Sequence, residues 1–199
     1  MKTSNKIILT VGAIPVVIVV LMLLVLRVML PGNVSSSGDE ASSKKFNQSF
    51  TVTPGGTLSL ETDIGSIRIV GTSDNSVSVT ADIQGQKEDV SHFEITAHQQ
   101  GNDVRIEGKD VGLESRPGRW FSKFKVAYTI QVPRQYSLRL STAGGEVSVS
   151  DLEGSVSGMT SGGDVDLKGV KGDVELATSA GDINVENSAG KISMKTSGG

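Results

Sequence analysis

Cysteine is absent from the 199-residue chain, which excludes disulfides, thiolate metal sites, thiol catalysis and a lipid-modified N-terminal cysteine. Histidine is nearly absent too. His92 and His98 lie six residues apart with Glu94 the one carboxylate between them, so strand alternation puts the histidines on one face but the spacing supplies no third ligand. They read as a surface pair. A net charge of −3 with no concentrated basic stripe gives no surface for phosphates, so no nucleic acid is expected. No serine sits in a G-x-S-x-G elbow, and Gly65 and Gly71 are not followed by the G-K-[ST] of a phosphate loop. Neither an enzyme nor a cofactor is indicated.

Long helical stripes are also missing beyond Asn33, where Gly, Ser, Thr, Val and Asp dominate in short apolar runs separated by turns. The one long apolar run comes earlier, from Ile7 to Leu26 and on through Val28 and Leu30. At 1.5 Å rise per residue, about twenty such residues match a hydrocarbon core of ~30 Å. A cleaved signal peptide is the competing reading, because Lys2 and Lys6 form a basic start. The run exceeds a cleavable apolar region, however, and no small-residue cleavage pattern closes it. Residues 7–30 are therefore expected to be a transmembrane anchor, with Pro15 tolerated inside it and Arg27 reaching the interface. Residues 1–6 would form a short cytoplasmic tail. Its charges lie close to the membrane, whereas Lys44 and Lys45 follow Asp39 and Glu40 down the chain. That places the remainder on the periplasmic or extracellular side of a bacterial inner (cytoplasmic) membrane. Residues 31–45, PGNVSSSGDEASSKK, lack apolar periodicity and read as a flexible stalk.

From residue 46 to 199 the pattern is all-β. Apolar residues alternate at Phe50 and Val52, Leu58 and Leu60, Ile67 and Ile69, and Val77 and Val79, punctuated by Pro54-Gly55-Gly56, Asp63-Ile64-Gly65 and Ser73-Asp74-Asn75. Further strands are expected at Phe93 to Ala97, Val104 to Glu107 and Phe124 to Val132, the last ended by Pro133. After Ser141 a repeat takes over. Gly145, Gly154, Gly163, Gly172, Gly181, Gly190 and Gly199 recur at nine-residue spacing. Two residues after each comes Val147, Val156, Val165, Val174, Ile183 or Ile192. Four after comes Val149, Gly158, Leu167, Leu176, Val185 or Met194.

The turns T-[AS]-[GA]-G at Thr142, Thr160, Thr178 and Thr196 return only every eighteen residues. An up-and-down meander can be built from nine-residue units, but stacking of like turns on like turns favours a solenoid with two half-coils per eighteen-residue coil. The expected fold is an all-β, right-handed β-helix-like solenoid preceded by one transmembrane helix.

The string Phe50-x-Val52-x-Pro54-Gly55-Gly56-x-Leu58, the step from Val132-Pro133 into Leu138-x-Leu140, and the serial T-S-x-G-D-[VI]-x-[VL] units resemble the bacterial β-strand-repeat family of unknown function labelled "putative adhesin", akin to the head domain of autotransporter adhesins. The resemblance covers roughly Phe46 to Gly199. It implies a β-helix-like fold and a cell-envelope setting, and it brings no catalytic motif. Two functions follow as expectations: a non-enzymatic, membrane-anchored binding or scaffolding protein, or a regulatory component of an envelope-stress response acting through its transmembrane helix.

Two groups of residues are candidate sites. Stacking at eighteen would align Glu146, Asp164 and Asp182 on one outward face with Asp166 two residues along, a carboxylate ladder able to take a cation or to remain a solvated acidic face. The segment containing Arg116, Arg119, Trp120, Phe121, Lys123 and Lys125 interleaves aromatic and basic residues, which suits a glycan, a membrane interface or an envelope protein. Its alternative role is a loop whose aromatics plug the end of the core. The chain also reaches Gly199 on the opening turn of another coil, with no cap in sight. Continuation past that residue and self-association through an open C-terminal edge are the corresponding expectations.

Overall fold

The computed structural model describes residues 41–111 and 124–198. Fourteen strands and one short helix follow in order: β1 (Ala41–Thr51), β2 (Thr57–Thr62), β3 (Ser66–Thr72), β4 (Ser76–Gln86), α1 (Lys87–His92), β5 (Phe93–Gln100), β6 (Asp103–Asp110), β7 (Lys125–Pro133), β8 (Ser137–Thr142), β9 (Val147–Ser150), β10 (Val156–Thr160), β11 (Val165–Lys168), β12 (Val174–Thr178), β13 (Ile183–Glu186) and β14 (Ile192–Thr196). They form two seven-stranded sheets. Sheet A runs β1-β4-β7-β3-β9-β11-β13 and sheet B runs β14-β12-β10-β8-β2-β6-β5.

From β8 onward the chain changes sheet at every half-coil, so each strand lies parallel to the one eighteen residues away. Val165 registers with Val147 and Ile183 in sheet A, and Val156 with Leu138 and Val174 in sheet B. The nine-residue pattern is thus a set of stacked coils rather than a meander. The alternation tells why: Val147, Val149, Val156, Val165, Leu167, Val174 and Leu176 are all buried between the sheets, while the residues between them point outward.

One inward position lacks a side chain. Gly158 lies between Leu140 and Leu176, and a Cβ built there would come within 2.9 Å of Leu176 Cδ2. The neighbouring leucines already fill that layer, which explains the single break in the apolar column.

At the corner leading from sheet B to sheet A, the repeated turn threonines form a buried ladder. Thr62, Thr142, Thr160 and Thr178 are each less than 5% exposed, and successive members register across the sheet with Thr196 next in line. Each buried hydroxyl donates to the carbonyl two residues on: Thr62 to Ile64 (3.0 Å), Thr142 to Gly144 (3.1 Å), Thr160 to Gly162 (3.0 Å) and Thr178 to Ala180 (3.1 Å). A polar atom left unpaired inside this apolar stack would cost roughly 1–3 kcal/mol, and threonine satisfies its own hydroxyl locally while its methyl packs inward.

Thr62 shows that the repeat begins earlier than the glycine run. Gly56, Leu58 and Leu60, then Gly65, Ile67 and Ile69, have the same spacing, and β2 and β3 stack directly on β8 and β9. Between those two coils in sequence the chain makes a long excursion. β6 and β7 add to the free sides of β2 and β3 in parallel, and β1, β4 and β5 add antiparallel strands beyond them. Here the fold departs from an uninterrupted solenoid over 46–199. Buried Val90 on α1 and fully buried Phe93 cover the core at this end, with the Phe93 and Phe124 rings 5.5 Å apart.

The expected stalk also ends sooner than residue 45. Ala41 to Lys45 pair with Gln86 to Asp82 as the start of β1, and Lys45 Nζ lies 3.5 Å from Asp82. These five residues gain ladder hydrogen bonds on an existing edge, so they order without burying apolar surface. The proposed tail, anchor and remaining stalk lie outside the described residues. Among the described residues no helix is long and apolar enough to cross a membrane.

Tyr128 joins the excursion to the ladder. Its ring is buried and its hydroxyl lies 3.0 Å from Thr62 Oγ1. Burial pushes the phenol up to about 12, opposed by the Thr62 hydrogen bond and reinforced by the nearby Asp63 carboxylate. The folded form therefore holds its proton more tightly than the unfolded chain. The stabilisation is whole below pH 10 and is lost as pH rises from 10 through about 12, amounting to at most about 3 kcal/mol for a two-unit shift. Melting temperature should fall across that window, and Tyr128→Phe should flatten the fall. An unchanged profile in the variant would show that this phenol is not responsible.

Candidate functional site

The acidic column forms, but its members do different things. Glu146, Asp164 and Asp182 follow Gly145, Gly163 and Gly181, whose turns stack on one another: Val147 N–H donates to Asp164 O and Val165 N–H to Asp182 O, both at 2.9 Å. The Asp164 carboxylate accepts the Asp182 N–H at 2.9 Å, so it ties one coil to the next. Asp173 does the same for Lys191 N–H at 3.3 Å on the opposite corner. Asp166 stands in a separate outward row of sheet A, between Ser148 and Asn184. Among the described residues no grouping of three or more His, Asp or Glu could hold a metal ion. His92 lies at the end of α1 with Nδ1 2.7 Å from Glu88 O, and His98 lies on β5.

Of the aromatic and basic segment, Arg116, Arg119, Trp120, Phe121 and Lys123 lie outside the described residues. Lys125 opens β7 as an exposed residue. The segment links β6 of sheet B to β7 of sheet A, two strands in the same layer of the stack.

A further surface feature lies outside both candidate sites. The outward side of sheet B carries an open depression of about 580 Å³ whose lining includes Ser59, Arg139, Ser157, Met159 and Glu175. Strand register sets these side chains in two rows. The first runs Arg105, Ser59, Arg139, Ser157, Glu175, Ser193, and the second Glu107, Glu61, Ser141, Met159, Ala177, Lys195. Ser141, Ser157 and Ala177 are the small residues on β8, β10 and β12, and Arg139, Met159 and Glu175 stand beside them on the same three strands.

Arg105 is engaged, donating to Glu107 at 2.7 Å and Glu61 at 3.2 Å. Arg105 and Lys109 hold the Glu107 carboxyl below its ordinary value, and Glu107, with Glu61, holds the Arg105 guanidinium above its own. Arg139, Glu175 and Lys195 have no ion-pair partner among the described residues. Met159 is 65% exposed in the middle of the face. The sequence signal for this face was the outward half of the repeat, Ser157-x-Met159 against Glu175-x-Ala177, which registers only once the eighteen-residue stacking is applied to it.

A fold of stacked half-coils with polar outer faces defines a repeat-built β-protein with extended surfaces. Residues 56–198 match the model of the Toastrack DUF4097 family, and the chain belongs to that family. No curated protein matches. Among solved structures, a "putative cell adhesion protein" from Clostridium sporogenes ATCC 15579 is 14% identical, with 77% of this chain and 100% of that one covered at a TM-score of 0.40. A "putative adhesin" from Bacteroides fragilis NCTC 9343 is 14% identical, with 79% and 98% covered at a TM-score of 0.33.

Proposed function

We propose that this chain is a non-enzymatic, membrane-anchored cell-envelope protein that binds or scaffolds through the outer surface of its coil stack. The observation that carries this reading is the way the sheets are built. From β8 to β12 the large apolar side chains other than Met159 are buried in the interior, and registered rows of polar side chains face out from a frame held by parallel ladders. Such a frame presents ligand-contacting groups at fixed spacing, as repeat proteins do. The coils are read as right-handed, the sense that right-twisted strands favour in parallel crossovers. The apolar run at residues 7–30 supports a single-pass anchor, and the Arg116 to Lys125 segment supports a glycan or envelope-protein contact.

The test uses the full chain and a version with residues 7–30 replaced by an unrelated membrane span, each incubated with fractionated envelope material and sedimented. Retention of both versions by the same glycan or protein fraction, reduced by Trp120→Ala with Phe121→Ala, is the expected result. Loss of retention on swapping the span would instead favour regulation through the membrane helix. Retention by no fraction would defeat the binding reading.

A further inference from the structure

We infer that the outer face of sheet B is the surface on which two copies of this chain pair face to face, about a two-fold axis running along β10. A two-fold axis lying in an interface and parallel to one strand keeps strand direction and exchanges the strands on either side of that axis. Placed along β10, it exchanges β8 with β12 and β2 with β14. The registered rows then determine which side chains meet.

Arg139 and Glu175 occupy the same row, one strand to either side of Ser157. Arg139 therefore faces Glu175 of the second copy, and the symmetry makes this contact twice. Glu61 and Lys195 occupy the other row, two strands to either side of Met159. They oppose each other across the same axis, again twice. Arg139, Glu175 and Lys195, which have no ion-pair partner among the described residues of their own chain, each find one. Ser141 faces Ala177 and Ser59 faces Ser193, so small meets small and the sheets can close. Met159, the large exposed apolar residue at the centre, lies on the axis against its own copy.

Self-complementarity of this kind is not a general property of the surface. Moving the axis one strand, onto β8, brings Ser157 opposite Ser59 and Glu175 opposite Arg105, but Met159 then meets Glu61, Arg139 meets its own copy and Lys195 is left opposite Thr96 at the rim. Only along β10 do the central apolar residue and both charge pairs fall together. Five strands at ~4.8 Å spacing make a patch about 24 Å across, small beside a permanent interface, so the pairing belongs to the weak, reversible class in which charge complementarity sets orientation.

This pairing is independent of any envelope ligand. It is also distinct from association through the β14 edge, because it uses the sheet face.

The absence of cysteine makes the test direct. Met159→Cys in the full chain, purified in mild detergent and oxidised gently, is expected to give a disulfide-linked dimer, whereas Ser148→Cys on the outward side of sheet A is not. In the Met159→Cys background, Arg139→Glu or Glu175→Arg alone should cut the rate of cross-linking at least about tenfold, since each turns two attractive contacts into two repulsive ones. Arg139→Glu combined with Glu175→Arg should restore it. All four positions are on the surface, and unchanged circular dichroism would show that folding is not the cause. Equal cross-linking from Met159→Cys and Ser148→Cys, indifference to the single charge reversals, or failure of the double variant to recover would each overturn the proposal.

Discussion

Val165→Asp should abolish the cooperative thermal transition of the coil stack or lower it by tens of degrees, while Asp166→Asn, one residue along, should leave it within about a degree. Val165 is 2% exposed and stacks between Val147 and Ile183 in sheet A. A carboxyl group there has no donor to meet it and loses the apolar contacts of the valine. The cost is on the order of several kcal/mol. A domain of this size holds only about 5–15 kcal/mol in all, so that loss is a large fraction of the total. Asp166 points outward between Ser148 and Asn184, and removing its charge stays within about 0.5 kcal/mol. Thermal melts followed by circular dichroism compare the two variants. Similar melting temperatures for both would refute the inward and outward assignment on which the coil stack rests.

The half of the fold that was legible in the sequence is the half whose contacts have a fixed period. In β10 to β14 every partner lies eighteen residues away, so any preference for a side chain on one coil is imposed on the next, and Thr142, Thr160 and Thr178 recur because their hydroxyls meet the same local carbonyl each time. The N-terminal half has no such period. β7 joins β3 in parallel and β4 in antiparallel fashion, and nothing in either strand's own pattern selects its neighbours. Residues 41–45 were missed for a related reason: an edge strand held by backbone ladder bonds needs no apolar alternation.

Gly56 and Gly65 already carried the nine-residue unit, hidden because β4 to β7 interrupt it before Gly145. Tyr136 occupies the position nine residues before Gly145, where the repeat would place a glycine. It is fully buried with its hydroxyl donating to Asn102 O, and burial raises it to about 12, so an aromatic ring fills the corner where the excursion rejoins the stack.

The site was less legible than the fold because a surface row depends on register as well as facing. Alternation gives the outward direction of Arg139, Met159 and Glu175. Their placement in two rows requires the pairing of β8, β10 and β12 as well. The acidic column shows the same limit from the other side. Stacking of Glu146, Asp164 and Asp182 could be deduced, but the Asp164 bond to the Asp182 N–H could not, since it depends on how the turn orients its backbone.

Gly163→Ala should destabilise the stack by a few kcal/mol, whereas Gly162→Ala, in the same turn, should be nearly neutral. Gly163 has a φ of +116°, a region that an L side chain enters only at a cost of about 1–2 kcal/mol. Space is the larger obstacle. A Cβ at Gly163 would press into the Gly145 carbonyl, within 2.6 Å of its carbon and 3.2 Å of the Glu146 nitrogen. Those are backbone atoms of the preceding coil, which cannot rotate aside. The coils would have to separate locally, stretching the bonds from Gly145 N–H to Gly162 O (3.0 Å) and from Gly163 N–H to Ala180 O (2.9 Å). The same approach recurs where Gly145 meets Gly65 and Gly181 meets Gly163, so the requirement belongs to the stacking of coils rather than to one turn. Gly162 lies outside that column, and nothing comes within 4 Å of a Cβ built on it. Paired denaturant titrations of the two variants isolate the effect, because composition and helix or strand propensity change identically in both. A loss at Gly163 no greater than at Gly162 would mean that the coils tolerate a methyl group at their closest approach, and the nine-residue glycine spacing would need another cause.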